Sequence, residues 1–253
     1  MTRYELSGEY DSNRDLLDFI GRIDTEFDTE GRLLFAGRRN TLGEFCIAEG
    51  HPVLGHVVVK RFNVHGPLAS IVYGVFRRSK AQRAFRSALR LMEAGCSTPQ
   101  PIGWIEVKSG MLLRRCYYIC TYTEAQSVRT ELEVGRNMEL ATSFAHFIAR
   151  MHSHGIVHHD LNLSNVLYEL DADGRYVVSV IDINRTTYTP PSRLSLRSCI
   201  DDFVRWTDDP ELFEHVMRRY AEARNLDPEA FLAKAWGMKR WHDVWWKVKK
   251  WRP

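Results

Sequence analysis

Apolar positions come in short runs early in the chain and in long helical stripes later. From Leu33 the sequence breaks into three apolar segments, Leu33–Ala36, Glu44–Ala48 and His56–Phe62. Turn residues divide them, at 37–43 and at Glu49-Gly50-His51-Pro52, which predicts strands. In Ser79–Ala94 the residues Ala81, Ala84, Phe85, Ala88, Leu91 and Met92 recur at i, i+3, i+4 and i+7, one helical face stopped by Gly95. Pro99 and Pro101 then precede two further strand-like runs, Ile102–Val107 and Tyr117–Tyr122. The N-terminal forty residues are polar and mixed, with a short helix expected near Asp15–Ile20.

After Glu124 the period changes. Asn137–Ser153 sets Leu140, Ala141, Phe144, Ala145, Ile148 and Met151 on one helical face. A loop-like segment follows, then the apolar strand Tyr176–Ile183. Beyond Pro190 and Pro191, helices are expected at Ile200–Val204, Glu211–Ala223 and Pro228–Trp236. The predicted class is α+β, with a small β-rich lobe over 1–122 and a compact helical lobe over 123–253.

Composition narrows the class of protein. A chain of 253 residues with 44% hydrophobic and 26% charged residues has enough apolar surface for a sizeable core, which excludes a disordered or collagen-like chain. No apolar run approaches the roughly 20 residues of a spanning helix, and the first thirty residues, with acids and no apolar core stretch, are not expected to be a secretory signal. The five cysteines are odd in number and form no CxxC, so reduced thiols and a cytoplasmic location are expected.

Net charge is only +3, but Lys239–Arg252 carries six cations against Asp243 alone, leaving a near-neutral body and no case for nucleic acid. Five of the seven tryptophans also lie there: Trp236, Trp241, Trp245, Trp246 and Trp251. On a helix Trp241, Val244, Trp245 and Val248 share one face. The segment reads either as a docking element for an anionic membrane surface or as a packed terminal helix with solvated lysines.

The chemistry is concentrated in His158-His159-Asp160-Leu161-Asn162-Leu163-Ser164-Asn165 and in Ile181-Asp182-Ile183-Asn184. An aspartate, an asparagine five residues later and a second aspartate after an apolar strand suit phosphoryl transfer. Asp160 would orient and deprotonate an acceptor hydroxyl. Asn165 and Asp182 would supply hard oxygen ligands to Mg2+. His158 would orient the loop, and Lys60, at the end of a β-branched strand, would neutralise the phosphates of ATP. Arg185 is either a surface charge or a contact to an anionic substrate. His152, His154, His158 and His159 lack the further ligands that would close a zinc shell.

These residues resemble the kinase superfamily, and more closely the bacterial lipopolysaccharide core kinases that phosphorylate Kdo or heptose. The resemblance runs from about Arg39 to Arg185. It rests on Arg39-Asn40-Thr41, on Ser79-Lys80-Ala81-Gln82-Arg83 with Gly95 and Thr98-Pro99-Gln100-Pro101, and on the two motifs above. It implies a protein-kinase-like two-lobed fold, with Arg39, Asn40 and Thr41 helping Lys60 to bind ATP. The implied acceptor is a lipid-linked sugar at the cytoplasmic face of the inner membrane, reached as a peripheral protein.

Four features depart from the superfamily pattern. The stretch Gly37–Gly43 has two glycines and no GxGxxG, and the helix at 79–94 offers Lys60 no acid on its Ala84/Ala88 face. Asn184 stands where a glycine is usual, and His159 where protein kinases carry arginine. Asn162 and the short stretch after Asp182 favour a sugar acceptor over a peptide. The rival readings are another small-molecule or protein kinase, and a pseudokinase that binds without turnover.

Overall fold

The computed structural model describes residues 1–63, 66, 70–71, 73 and 77–250, without the side chains of 246–250. The chain divides into two compact units, 1–90 with 99–123, and 91–98 with 124–253.

The first unit is built on a six-stranded antiparallel sheet in the order β1-β5-β6-β4-β3-β2. The strands are β1 (Thr2–Leu6), β2 (Arg32–Ala36), β3 (Asn40–Phe45), β4 (Val57–Asn63), β5 (Pro101–Ser109) and β6 (Leu112–Thr121). Among the described residues, the α-helices α1 (Arg14–Glu30) and α2 (Lys80–Glu93) accompany them.

Helix α1 is much longer than the Asp15–Ile20 piece expected. Asn13 caps it by accepting from the Leu16 N–H, and Leu16, Phe19, Ile20, Ile23 and Phe27 form its buried stripe. That stripe joins Phe45, Val57, Val59, Ile105, Tyr117 and Ile119 in one core. Phe19 meets Phe45 edge-on at 5.3 Å, and each such ring contributes about 1.5–3 kcal/mol by burial. The acids along the helix dilute the stripe in sequence; the sheet selects it. Strand β1 was not expected, because its one buried residue is Leu6 and the pairing with β5 supplies what its polar sequence does not. Strand β3 begins and ends earlier than Glu44–Ala48, since the chain turns at Ile47, whose N–H donates to the Leu54 carbonyl.

The second unit is mainly helical. Its helices are α3 (Arg129–Glu133), α4 (Met138–Ser153), α5 (Leu196–Phe203), α6 (Pro210–Ala223) and α7 (Pro228–Lys250). Strands β7 (Gln126–Ser127), β9 (Val166–Leu170) and β10 (Tyr176–Val180) form one small sheet, and β8 (Ile156–Val157) pairs with β11 (Thr187–Tyr188). The α4 stripe is buried as its period predicts, with Phe144 against Trp206 (5.0 Å) and Phe203 (6.2 Å). Residues 91–98 belong here: Thr98 Oγ1 donates to the Val180 carbonyl, and Arg150 donates to that of Gly95. The apolar run at 176–183 leaves its strand at Val180, and β9 occupies what read as loop.

The C-terminal helix divides the tryptophans. Trp236 packs on Phe213 and donates to Glu214, and Lys239 is buried, its ammonium reaching the Val204 carbonyl and Asp208. Neither belongs to an exposed docking face. Trp241, Val244 and Trp245 are exposed. The side chains of Trp246, Lys247, Val248, Lys249 and Lys250, and all of Trp251, Arg252 and Pro253, lie outside the described residues.

Candidate active site

The loop from Gly155 to Asn165 lies wholly in the second unit and is held from three sides. At its start Gly155 has φ +76° and its carbonyl accepts from the Thr189 N–H, which continues the β8–β11 pairing. His159 follows with φ +64°, a left-handed conformation that costs energy in a non-glycine residue. Buried Asp202 on α5 stabilises that turn. Its carboxylate accepts from the backbone N–H of His158 (2.9 Å) and of His159 (2.6 Å).

His158 is fully buried and both ring nitrogens are engaged. Nδ1 accepts from the Asp160 N–H (3.3 Å), so Nε2 carries the proton and donates to the Ile181 carbonyl (3.0 Å). This ring therefore fixes the backbone of Asp160 relative to the residue before Asp182.

Two asparagines complete the loop. The side-chain amides of Asn162 and Asn165 both donate to the Asp160 carbonyl, at 3.1 and 2.9 Å. With its nitrogen engaged there, Asn165 retains Oδ1 as an oxygen donor. The hairpin β9–β10 pairs Val166 with Val180, and the Ile181 N–H donates to the Asn165 carbonyl (3.0 Å). Asn165 and Asp182 thus leave the same end of one hairpin. Asp182 has φ +58° and accepts from Asn184, whose amide steadies the carboxylate where a glycine was expected. Among the described residues no three His, Cys, Asp or Glu side chains could cage a metal. One carboxylate and one carboxamide oxygen instead fit Mg2+, which keeps waters and phosphate oxygens in its shell.

Behind the loop lies a buried network that the sequence did not reveal. His152 on α4 approaches Asp202 (3.4 Å) and Tyr220 (2.8 Å), and Arg224 donates to Tyr220 (2.9 Å). Burial works against charge on both His152 and Asp202. Burial is the largest single influence on each. Their mutual hydrogen bond and charge attraction, joined by Cys199 at the histidine and by His158 at the aspartate, together outweigh it, holding the histidine above and the aspartate below their ordinary values. Cys199 also touches His152; burial raises its thiol, but His152, Tyr220 and Arg224 together leave it below its ordinary value. A polar residue at an otherwise apolar helix position, as His152 is, was the available signal.

In the first unit Lys60 is half-buried on β4. It pairs with Leu42 and Tyr118, on the sheet face opposite α1, with its ammonium 5.3 Å from the Phe62 ring. Asn40 shares that face. Thr41 points the other way, paired with Arg61, whose guanidinium covers Phe27 on α1. A phosphate laid against Lys60 would therefore meet Asn40 before the Thr41 hydroxyl. Arg39 is exposed in the β2–β3 turn, whose carbonyls are tied to Asn63. Helix α2 has no acid in its first turn. A buried acid does lie on the Lys60 side of the sheet: Glu106 pairs with Cys116, which pairs with Phe62, and it forms an ion pair with Lys108 (3.4 Å).

Comparison with known proteins bears on the family and the fold. Residues 41–195, more than half of the chain, match the family model described as the lipopolysaccharide kinase (Kdo/WaaP) family. No curated protein matches the chain significantly. Among solved structures, WaaP in complex with acyl carrier protein is similar at 16% identity and a TM-score of 0.61, covering 94% of this chain and 98% of that one. The Rio2 kinase–ADP/Mg2+–phosphoaspartate complex from Chaetomium thermophilum matches at 18% identity and a TM-score of 0.48, covering 89% and 75%. The fold is protein-kinase-like, with the sheet in the first unit and the helices in the second.

Proposed function

The chain belongs to the lipopolysaccharide kinase (Kdo/WaaP) family, and from that premise we propose that it transfers the γ-phosphate of ATP to a hydroxyl of an inner-core sugar, Kdo or heptose on lipid A. One observation carries the reading. Asp160, Asn165 and Asp182 come from a single loop and hairpin, locked by His158 and Asp202. Preorganisation of that kind is what phosphoryl transfer requires, because its transition state is stabilised chiefly by positioning and charge.

Each residue has a chemical part. Asp160 accepts the proton of the attacking hydroxyl. Asn165 and Asp182 would hold Mg2+, which neutralises the phosphate oxygens when bound. Lys60, with Asn40 beside it and Arg39 in the adjoining turn, contributes cationic and amide groups to the phosphates. Thr41 contributes through its backbone.

We further assign the exposed Trp241, Val244 and Trp245 of α7 to the cytoplasmic face of the inner membrane, where the acceptor lies. No described helix is long and apolar enough to cross a bilayer, so attachment would be peripheral.

The test is transfer of label from ATP, with Mg2+, to lipid A precursors bearing or lacking Kdo or heptose. Label is expected on a sugar-bearing precursor, and Asp160→Asn should lower turnover about 10²–10⁴-fold with its unfolding midpoint unchanged. Preferential labelling of protein would reject the sugar acceptor. Turnover indifferent to Asp160→Asn would identify a binding module instead.

A further inference from the structure

Arg185 reaches the candidate base directly: its Nη1 lies 3.4 Å from Asp160 Oδ2. Stability does not explain that contact. The two side chains are 48% and 30% exposed, and pairs so open to water contribute about 0–1 kcal/mol. Function does not obviously explain it either, since a cation beside a base covers the oxygen that must receive a proton.

Geometry narrows the possibilities. Arg185 closes the short 3-10 turn Ile183–Arg185, sealed by the Thr186 N–H to the Ile183 carbonyl (3.2 Å), directly after Asp182. The guanidinium is therefore anchored by the same turn as the metal carboxylate. It offers five N–H donors in a planar fork, and one nitrogen at one carboxylate oxygen uses little of that capacity. A second guanidinium stands close by in the chain path: Arg205 donates to the His159 carbonyl (3.1 Å), one residue before Asp160, and is exposed. Any hydroxyl held against Asp160 lies within reach of Arg185.

Resting on the kinase reading above, we propose that Arg185 is the specificity residue for an acidic acceptor. It binds a carboxylate or phosphate group adjoining the hydroxyl that is phosphorylated. The incoming anion replaces Asp160 as partner of Arg185. Asp160 is then uncovered to take the hydroxyl proton while the hydroxyl oxygen forms its bond to the γ-phosphorus. The bond from that phosphorus to the β–γ bridging oxygen breaks, and ADP leaves with the electron pair. A neutral sugar would leave Arg185 on Asp160 and be used poorly.

The experiment separates binding from turnover. Affinity of the full chain, with a non-hydrolysable ATP analogue, is measured for three forms of a Kdo-bearing lipid A precursor: native, methyl-esterified at the Kdo carboxylates, and enzymatically dephosphorylated. Wild type is expected to bind one of the two masked forms about 10–100-fold more weakly than the native form, which identifies the anion as carboxylate or phosphate. Arg185→Gln should lose that preference, binding native and masked forms alike, and Arg185→Lys should keep part of it. The unfolding midpoint and the affinity for the ATP analogue report on folding and on the nucleotide. Equal wild-type affinity for all three forms overturns the proposal, as does an Arg185→Gln chain that still discriminates or loses affinity mainly for the nucleotide. Absence of phosphate transfer to any form in the parallel turnover assay would refute the acceptor reading alone, because the anion preference is read without turnover.

Discussion

Asp202 holds His159 in a left-handed turn by accepting its backbone N–H at 2.6 Å, and the same carboxylate holds the neighbouring N–H of His158. Asp160 is the next residue. Its backbone is positioned by a buried carboxylate 42 residues away in sequence, on α5.

Asp202→Asn replaces an acceptor oxygen with an N–H2 group that faces N–H donors. Turnover should fall by about 10²-fold or more. Removal of one partner from a buried charged pair should also cost about 3–5 kcal/mol. Paired measurement of initial rates and urea midpoints checks both; a normal rate would show that the loop is held by other means.

His152 gives stability a pH dependence on the alkaline side. The folded chain keeps its proton to higher pH than the unfolded chain does, facing Asp202, Cys199 and Tyr220. That contribution is complete below the ordinary value of 6.5 and fades as pH rises through the raised folded value. Asp202 acts at the other end: its contribution is present above the ordinary 3.8 and is lost as pH falls through the lowered folded value. Urea midpoints between pH 6 and 8 should decline in wild type and flatten in His152→Gln. Parallel slopes in the two proteins would remove His152 from this account.

Gly155→Ala should be among the most disruptive small substitutions in the second unit. A methyl group there would come within 1.8 Å of the Thr189 carbonyl oxygen, and φ of +76° is strained for alanine. Because the β8–β11 pairing must shift to admit it, a loss of about 2–4 kcal/mol is expected in chemical denaturation. Little change in the midpoint would mean that residues 187–191 yield freely.

The tryptophans of α7 should separate by role. Trp241→Ser with Trp245→Ser should weaken co-sedimentation with anionic vesicles and leave the unfolding midpoint within about 0.5 kcal/mol, as for surface changes. Trp236→Ala should instead destabilise by about 1–3 kcal/mol, because the half-buried indole packs on Phe213 and donates to Glu214, and leave vesicle binding intact. Undiminished vesicle binding by the double variant would count against the membrane assignment. Truncation before Lys239 is a poorer test, since that lysine is buried against Val204 and Asp208.

What the sequence determined by itself was the set of elements whose period is strong, and the candidate site whose spacing is local. The stripe of α4, the β-branched run of β4 that leads into Lys60, in mid-strand, and the series Asp160, Asn165 and Asp182 are all legible because neighbours along the chain define them. Residues that work across the fold left little trace. Leu16, Phe19, Ile23 and Phe27 were diluted by acids until the sheet selected one face of α1. Strand β1 has one buried residue and exists because β5 offers it hydrogen bonds. Only the tertiary structure decided that Asp202 and His152 support the loop, that Thr41 lies on the face opposite Lys60, that Lys239 is interior, and that Arg185 covers Asp160. Periodicity records which side of an element is buried. A hydrogen bond or ion pair between distant segments depends on how those segments pack, and no local pattern encodes it.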